Sequence, residues 1–569
     1  MKHIIIYFFL FSIGLTSSAQ NIHLQLTGNS ISETKVIDSL NYISKHKNAK
    51  SVSDELGSVV EKLSKIGFIA NKIVFETKIN DSTYNAKINL GERITSIHIY
   101  LDANSILSEL LFPNNPKDTL IIAYTETEAF LNRSQKLLDQ KGYSFSKLYL
   151  TQFQKKDYKL IATLKIESEN LRKLNSIVVN YDKTKQNDIF PKGNLAQINR
   201  KYKNQLFNPV LLSKIHDDFE KYNFITQIKY PEILFTKDST KVYVYLEKAK
   251  SNTFDGFIGF NNNDSKKLTF NGYLDLNLQN TLKVGEQFSL YWKSDGNKQK
   301  TFKTALELPY IFKSPLGIRG QLNIFKQDSI FQNTKTALDL SYYLNYNGRI
   351  YLGYQSTISS DIQNTNNTII ADFRNSYLTA ELTYLKIDNR SSLFHNKTNL
   401  DIKTGIGKRE ISNGTENTIK TPQFYIDFFA MHTFYLNNKN AINIRSQNYY
   451  LKSATYITNE LFRFGGINSI RGFTENSLQA NFMTAILTEY RYLVSPTLYL
   501  HTIFDYSILR DATLKKQPSA KTTLLGLGFG LGVKTNNGLL KISIVTGSQT
   551  DQTLKFSNTI IQLSYGVNF

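Results

Sequence analysis

The stretch Phe464-Gly465-Gly466-Ile467-Asn468-Ser469-Ile470-Arg471-Gly472-Phe473 sets one cation among small and apolar residues, between segments that alternate like strands. A lone arginine in such surroundings needs an anionic partner, because buried charge is tolerated when paired and hydrogen-bonded. Two acids downstream sit in apolar or aromatic strand-like runs: Glu489 in Leu487-Thr488-Glu489-Tyr490 and Asp505 in Ile503-Phe504-Asp505-Tyr506. A guanidinium engages a carboxylate bidentately and keeps its proton, so lysine would be a poor substitute at position 471.

The region from about Ser251 consists of short period-two runs separated by polar turns. Leu274, Leu276 and Leu278 alternate with Asp275, Asn277 and Gln279; Phe288, Leu290 and Trp292 alternate with Ser289, Tyr291 and Lys293. Each run has one apolar and one polar face, as a lipid-out, water-in strand requires. At roughly 20 residues per strand and connection, the region predicts a transmembrane antiparallel β-barrel of about 16 strands over residues 250–569. A soluble sandwich would show the same alternation. The chain ends with Ile561, Leu563, Tyr565, Val567 and Phe569 on one face and Gln562, Ser564, Gly566 and Asn568 on the other.

Composition agrees with a barrel. Mean hydropathy is −0.31, and no run after the N-terminus is apolar over the roughly 18 residues that a membrane helix needs. Alternating strands escape such a filter, and the 34 Tyr and 37 Phe fit aromatic girdles at the two interfaces. Residues 1–19 read as a signal peptide: Lys2 and His3, an apolar Ile4–Leu15 core, then small residues before a cut ahead of Gln20. The chain has no cysteine, which excludes disulfides, thiolate metal sites, a cysteine nucleophile and a lipidated cysteine. The net charge of +21 fits either acidic lipid or acidic partners, or simply solvated lysines in loops.

Between signal and barrel the sequence repeats loosely three times, over 20–94, 95–172 and 173–249. Each unit reads as strand, helix, helix, strand, strand, so the fold class is mainly β with three α+β domains ahead of the barrel. The first unit has helices around Glu33–Ile43 and Val52–Ile66, the second a helix at Glu126–Gln140, and the third one at Leu211–Lys221. Gly67, Gly142 and Asn223 follow the second helices, where a left-handed C-cap is expected. An exposed sheet edge in such a unit can accept an extended client segment, or the units can act as spacers.

The run from Gly465 to Phe473 closely resembles the Gly-Gly-x-x-Ser-Val-Arg-Gly-Phe element of the BamA/TamA superfamily of outer-membrane assembly and translocation barrels, with Ile470 replacing the usual valine. The three units resemble POTRA, the periplasmic module of that superfamily, and the chain end resembles the terminal-strand signal of outer-membrane barrels. Three units are fewer than the general BamA insertase usually carries and more than two-partner secretion transporters carry, which leans toward a TamA-like accessory factor. The resemblance implies a loop of Gly465, Gly466, Arg471, Gly472 and Phe473 folded into the barrel lumen, with Arg471 paired to Glu489 and Asp505. It also implies a weak lateral seam between the first strand, about Thr253–Phe260 with Phe254, Gly256 and Gly259, and the last, with Tyr565, Gly566 and Phe569.

The implied location is the bacterial outer membrane, with the N-terminal domains in the periplasm of a Gram-negative cell. The implied partners are unfolded outer-membrane or secreted client proteins, outer-membrane lipid, and a periplasmic or inner-membrane partner at the POTRA domains. No cofactor, metal, nucleic acid or enzymatic activity is expected: the eight histidines are scattered, and no His-Glu-x-x-His pair, Walker loop or Gly-x-Ser-x-Gly elbow occurs. A dedicated secretion transporter for one partner protein and a passive pore are the alternatives. Gly526, Gly528, Gly530 and Gly532 alternate with Leu527, Phe529 and Leu531. As a strand this gives a bare lumenal stripe, open to close approach by the arginine loop or merely a weakly packed strand.

Overall fold

The computed structural model describes residues 22–568 apart from 81, 102–105, 112–117, 145, 168–170, 182–188, 238, 263–267, 296–298, 364–369, 388–392, 395, 413–417, 515–519, 536–537, 551, 553–556 and 558. The expected signal peptide and Phe569 lie outside the described residues. The chain forms two compact units, Met1–Lys173 with Leu206–Leu211, and Leu174–Gln205 with Leu212–Phe569.

The first unit holds two four-stranded sheets. In one, the order is Lys45–His46, Ile22–Thr27, Thr83–Asn89, Lys72–Asn80, covered by helices Ile31–Ser39 and Ala49–Lys65. Val52, Leu56, Val59 and Leu63 recur at helical spacing and pack on Leu24, Leu26, Ala86 and Ile88. The expected helix to Ile43 ends at Ser39, with Asn41 in the left-handed region at φ 50°, and Lys45–His46 adds an edge strand that the alternation did not mark. Gly67 has φ 108°, and a Cβ there would stand 2.2 Å from the Ile94 carbonyl oxygen, so this C-cap needs glycine. In the other sheet the order is Thr119–Ala123, Ser96–Tyr100, Lys159–Glu167, Lys147–Lys156, with helices Ile106–Leu111 and Thr127–Gln140. Here a strand, Thr119–Ala123, separates the two helices, which departs from the expected element order.

In the second unit a three-stranded sheet, ordered Ile225–Phe235, Thr240–Lys248, Leu174–Tyr181, carries helix Lys192–Tyr202 and, from Leu212 on, helix Pro209–Phe219. Asn223 does not adopt the expected left-handed cap. The chain there turns by Tyr222 N–H donating to Phe219 O, and Phe219, Tyr222 and Phe224 gather around the Phe190 ring. Aromatic packing, rather than a cap residue, ends this helix. The domain meets the nearby barrel turns: Asn280 Nδ2 donates to Ile189 O (2.9 Å), Gln197 Nε2 donates to Lys313 O (2.5 Å), and the Tyr222 and Tyr346 rings are 4.1 Å apart.

The rest of the unit is a closed barrel of sixteen antiparallel strands, from Thr253–Asn262 to Thr559–Asn568. Its surface inverts that of a soluble protein. Leu338, Leu352, Leu378 and Ile406 are 62–73% exposed on the outside, while Arg319, Asp339, Glu381, Arg409, Glu489 and Asp505 are buried within. An apolar exterior around a charged, paired interior is what lipid outside and water or polar groups inside demand. Among the described residues no helix is long and apolar enough to cross a membrane.

Candidate functional site

Between the strands Asn440–Ser453 and Phe482–Ser495 the chain leaves the wall at the end opposite the third domain and folds into the lumen. The insert opens with a 3-10 turn, Thr458–Glu460, and closes through a two-stranded hairpin, Phe462–Phe464 with Leu478–Ala480. Gly465, Gly466 and Gly472 have φ of 108°, 95° and 87°, so glycine is required at each bend. Apolar residues seat the turn: Phe464 and Ile470 are buried with Met483, Leu487, Leu509 and Leu524 of the wall, and Phe473 packs beside them.

Ile470 buries its side chain and delivers the next residue to the wall. Arg471, 2% exposed, gives Nε (2.8 Å) and its backbone N–H (3.0 Å) to Asp505 Oδ2, and Nη2 (2.5 Å) to Asp505 Oδ1. Its Nη1 donates to Glu489 and its Nη2 also reaches Thr488 O (3.3 Å). Asp505 is fully buried. The structure thus brings Arg471, Glu489 and Asp505 into one network. It adds two members that the motif did not name. Arg445 Nη2 donates to Glu489 Oε1 (3.1 Å), and Arg491 gives Nε and Nη2 to Glu489 Oε2 (2.8 and 2.6 Å). Arg491 follows Glu489 by two positions on one strand, hence on one face, which was a usable signal. Arg445 comes from the preceding strand, and only the strand register places it there: Asn443 pairs with Glu489 and Arg445 with Leu487.

The loop grips the wall elsewhere too. Glu460 accepts from Arg409 and from Gln423 Nε2 (2.9 Å), and Asn459 Nδ2 donates to Ser359 Oγ and Ala371 O, both at 2.8 Å. Ser469 Oγ bonds Gln447 Oε1 (2.8 Å). Glu475 accepts from Tyr291 OH (3.1 Å) and pairs with Lys293, across the lumen from Asp505. The guanidinium of Arg463 lies over Phe325 and Phe331, 5.5 and 5.1 Å from the ring centroids. Of the lumenal glycines, Gly526 faces the Arg471 carbonyl, 2.3 Å from where a Cβ would stand, whereas Gly528, Gly530 and Gly532 face neighbouring strands instead. The close approach expected of the whole stripe is therefore confined to Gly526 and its register partner Gly547.

The first and last strands share three register pairs, Thr253 with Asn568, Phe254 with Val567 and Asp255 with Gly566. Each pairs with its other neighbour over ten and nine positions. Phe254 and Gly566 fall inside the short paired part. Gly256, Gly259 and Tyr565 lie beyond it, and among the described residues these have no register partner across the junction. A Cβ on Gly256 would stand 2.5 Å from Tyr273 O of the second strand, so glycine lets those two strands pair closely. Among the described residues no group of His, Cys, Asp and Glu is arranged to hold a metal ion.

No protein-family model matches the chain, and no curated protein matches it. Among solved structures it is similar to CdiB from Escherichia coli (13% identity, TM-score 0.50, covering 95% of this chain and 99% of that one). It is also similar to CdiB from Acinetobacter baumannii (15%, 0.49, 84% and 90%). A third is BamA from Haemophilus ducreyi lacking POTRA domains 1-3 (14%, 0.49, 83% and 99%). At such identities the likeness is one of fold, and over nearly its whole length this chain has the fold of Escherichia coli CdiB.

Proposed function

We propose that the protein is an outer-membrane barrel of the BamA/TamA superfamily that inserts or translocates other polypeptides, with its three α+β domains, over 20–94, 95–172 and 173–249, in the periplasm. The observation that carries this reading is the Gly465–Phe473 turn folded inside a barrel of CdiB's fold, its Arg471 held by Asp505 and Glu489. Client docking is supported by the edge strand Lys72–Asn80, which exposes Val74, Phe75 and Ile79. The three-pair junction between Thr253–Asn262 and Thr559–Asn568 supports a lateral seam. Opening it exposes strand edges onto which a client strand adds by backbone pairing, so that no polar group is left bare in lipid.

The test is quantitative proteomics of the outer membrane after depletion of the protein, beside an Arg471→Ala strain. Loss of several unrelated barrels in both supports a general insertase, and loss of one exported protein supports a dedicated transporter. An unchanged membrane in both would leave a pore as the better reading.

A further inference from the structure

The outer wall carries a feature that neither loop nor seam uses. On the strand Thr418–Tyr435 the outward residues from Phe424 to Phe434 are apolar apart from His432, a height of about 25 Å for a tilted strand, the thickness of a barrel's apolar band. Above it, toward the end from which the loop enters, the composition changes over four neighbouring strands. The topmost apolar row is Tyr354, Leu378, Ile406 and Phe424. The next row is Ser356, Ser376, Lys408 and Pro422, and the one beyond it is Ile358, Arg374, Glu410 and Lys420. Lys452 pairs with Phe424 on the adjoining strand and is exposed.

Because Ser376 and Pro422 carry little bulk between larger neighbours, the wall is indented there by a groove of ≈ 410 Å³. Its apolar side is formed by Tyr354, Leu378 and Ile406, and its polar rim by Lys408 and Lys420. Glu410 bonds Lys408 Nζ at 2.7 Å. Among the described residues of these rows, four bases, Arg374, Lys408, Lys420 and Lys452, accompany one acid, Glu410, at the depth where headgroups meet acyl chains. All four strands are paired on both sides, so no backbone edge is free to capture a peptide, and the apolar side runs on into the lipid-facing wall.

We propose that this groove binds a phosphorylated glycolipid of the outer leaflet. Its phosphate lies between Lys408 and Lys420, flanked by Arg374 and Lys452, and an acyl chain lies along Tyr354, Leu378 and Ile406. Excess positive charge matches a phosphate, and the aliphatic stems of the lysines can lie on apolar surface while their ammonium groups reach the headgroup. The inference rests on the reading of the barrel as an outer-membrane protein.

The test is native mass spectrometry of the full-length protein in non-ionic detergent, with added lipid A, dephosphorylated lipid A or phosphatidylglycerol. The expected result is that the wild type retains lipid A about tenfold better than either other lipid, and that Lys408→Gln/Lys420→Gln abolishes the preference while keeping heat-modifiable barrel migration. Equal retention of dephosphorylated lipid A or of phosphatidylglycerol, or an unchanged preference in the variant, overturns it. Membrane fractionation separates the two failures: recovery outside the outer membrane sinks both readings, whereas recovery within it without lipid preference sinks this one alone.

Discussion

Gly472 and Gly547 lie backbone against backbone: a Cβ on Gly547 would stand 2.3 Å from the Gly472 carbonyl oxygen, and one on Gly472 would stand 2.6 Å from the Gly547 nitrogen. Gly547 is the register partner of Gly526, against which the Arg471 carbonyl rests. Two adjacent strands therefore offer a patch without side chains, and the Arg471-Gly472 peptide occupies it. This brings the guanidinium close enough to the wall to reach Asp505 without a water between them.

Gly547→Ala should lift the loop from the wall and lower stability by about 1–3 kcal/mol, the usual cost of overpacking. Gly320→Ala, where an added Cβ would meet nothing within 4 Å, should be close to neutral. Guanidinium denaturation midpoints of the refolded protein measure both; equal effects would mean that the glycine patch does not seat the loop.

Removing Arg471 strands its two acids unequally. Glu489 keeps Arg445 and Arg491, whereas among the described residues Asp505 is ion-paired with Arg471 alone. Arg471→Ala should cost about 3–5 kcal/mol, as for a broken buried pair. Adding Asp505→Asn should restore part of that loss, and adding Glu489→Gln should not. A double-mutant cycle on unfolding midpoints tests this ordering.

Phe254 and Val567 face each other across the short junction, and the chain has no cysteine of its own. Oxidised Phe254→Cys/Val567→Cys should keep the folded barrel, lose client insertion, and regain it on reduction. Full activity of the oxidised form would refute the seam as the working part.

Glu475 ties the loop to Tyr291 and Lys293 on the third strand, while Arg471 ties it to the opposite wall. Glu475→Gln, at a partly exposed pair, should cost only about 1 kcal/mol. It should nonetheless raise open-state conductance in planar bilayers, because one end of the plug is released. Unchanged conductance would mean that Glu475 does not hold the plug shut.

In the third domain Asp218 is held by Lys201, Lys221 and Tyr202. Burial opposes its ionisation, but these hydrogen bonds prevail and keep its carboxyl below the ordinary aspartate value. A carboxylate with a depressed folded pKa stabilises above its unfolded value, and that contribution is lost as pH falls through the folded one. Asp218→Asn should therefore weaken the domain by about 1–2 kcal/mol near pH 7, and the difference should vanish under strong acid. Hydrogen exchange of the Pro209–Phe219 helix in the intact protein, followed against pH, checks this.

Much of the architecture was legible because it rests on local periodicity. Alternation such as Leu274 to Gln279 marks a strand with two unlike faces, and sixteen strands follow from the length of the region. Gly67 and Gly142 announced their helix ends because only glycine tolerates those dihedrals cheaply. Asn223 misled, since asparagine permits a left-handed cap without requiring one, and the aromatic cluster around Phe190 decided the turn. Lys45–His46 is a strand only because Ile22 and His23 pair with it.

The alternation, the helical repeats, the glycine bends of the loop and the need of Arg471 for an anion are written in the order of residues, because each is a property of a residue and its near neighbours. Register and closure, set only on folding, fix that Arg445 joins Glu489, that Gly526 with Gly547 rather than the whole glycine stripe receives the loop, and that the barrel closes on three pairs. These join residues far apart in the chain, and a one-residue shift in strand pairing would send each side chain to the other face.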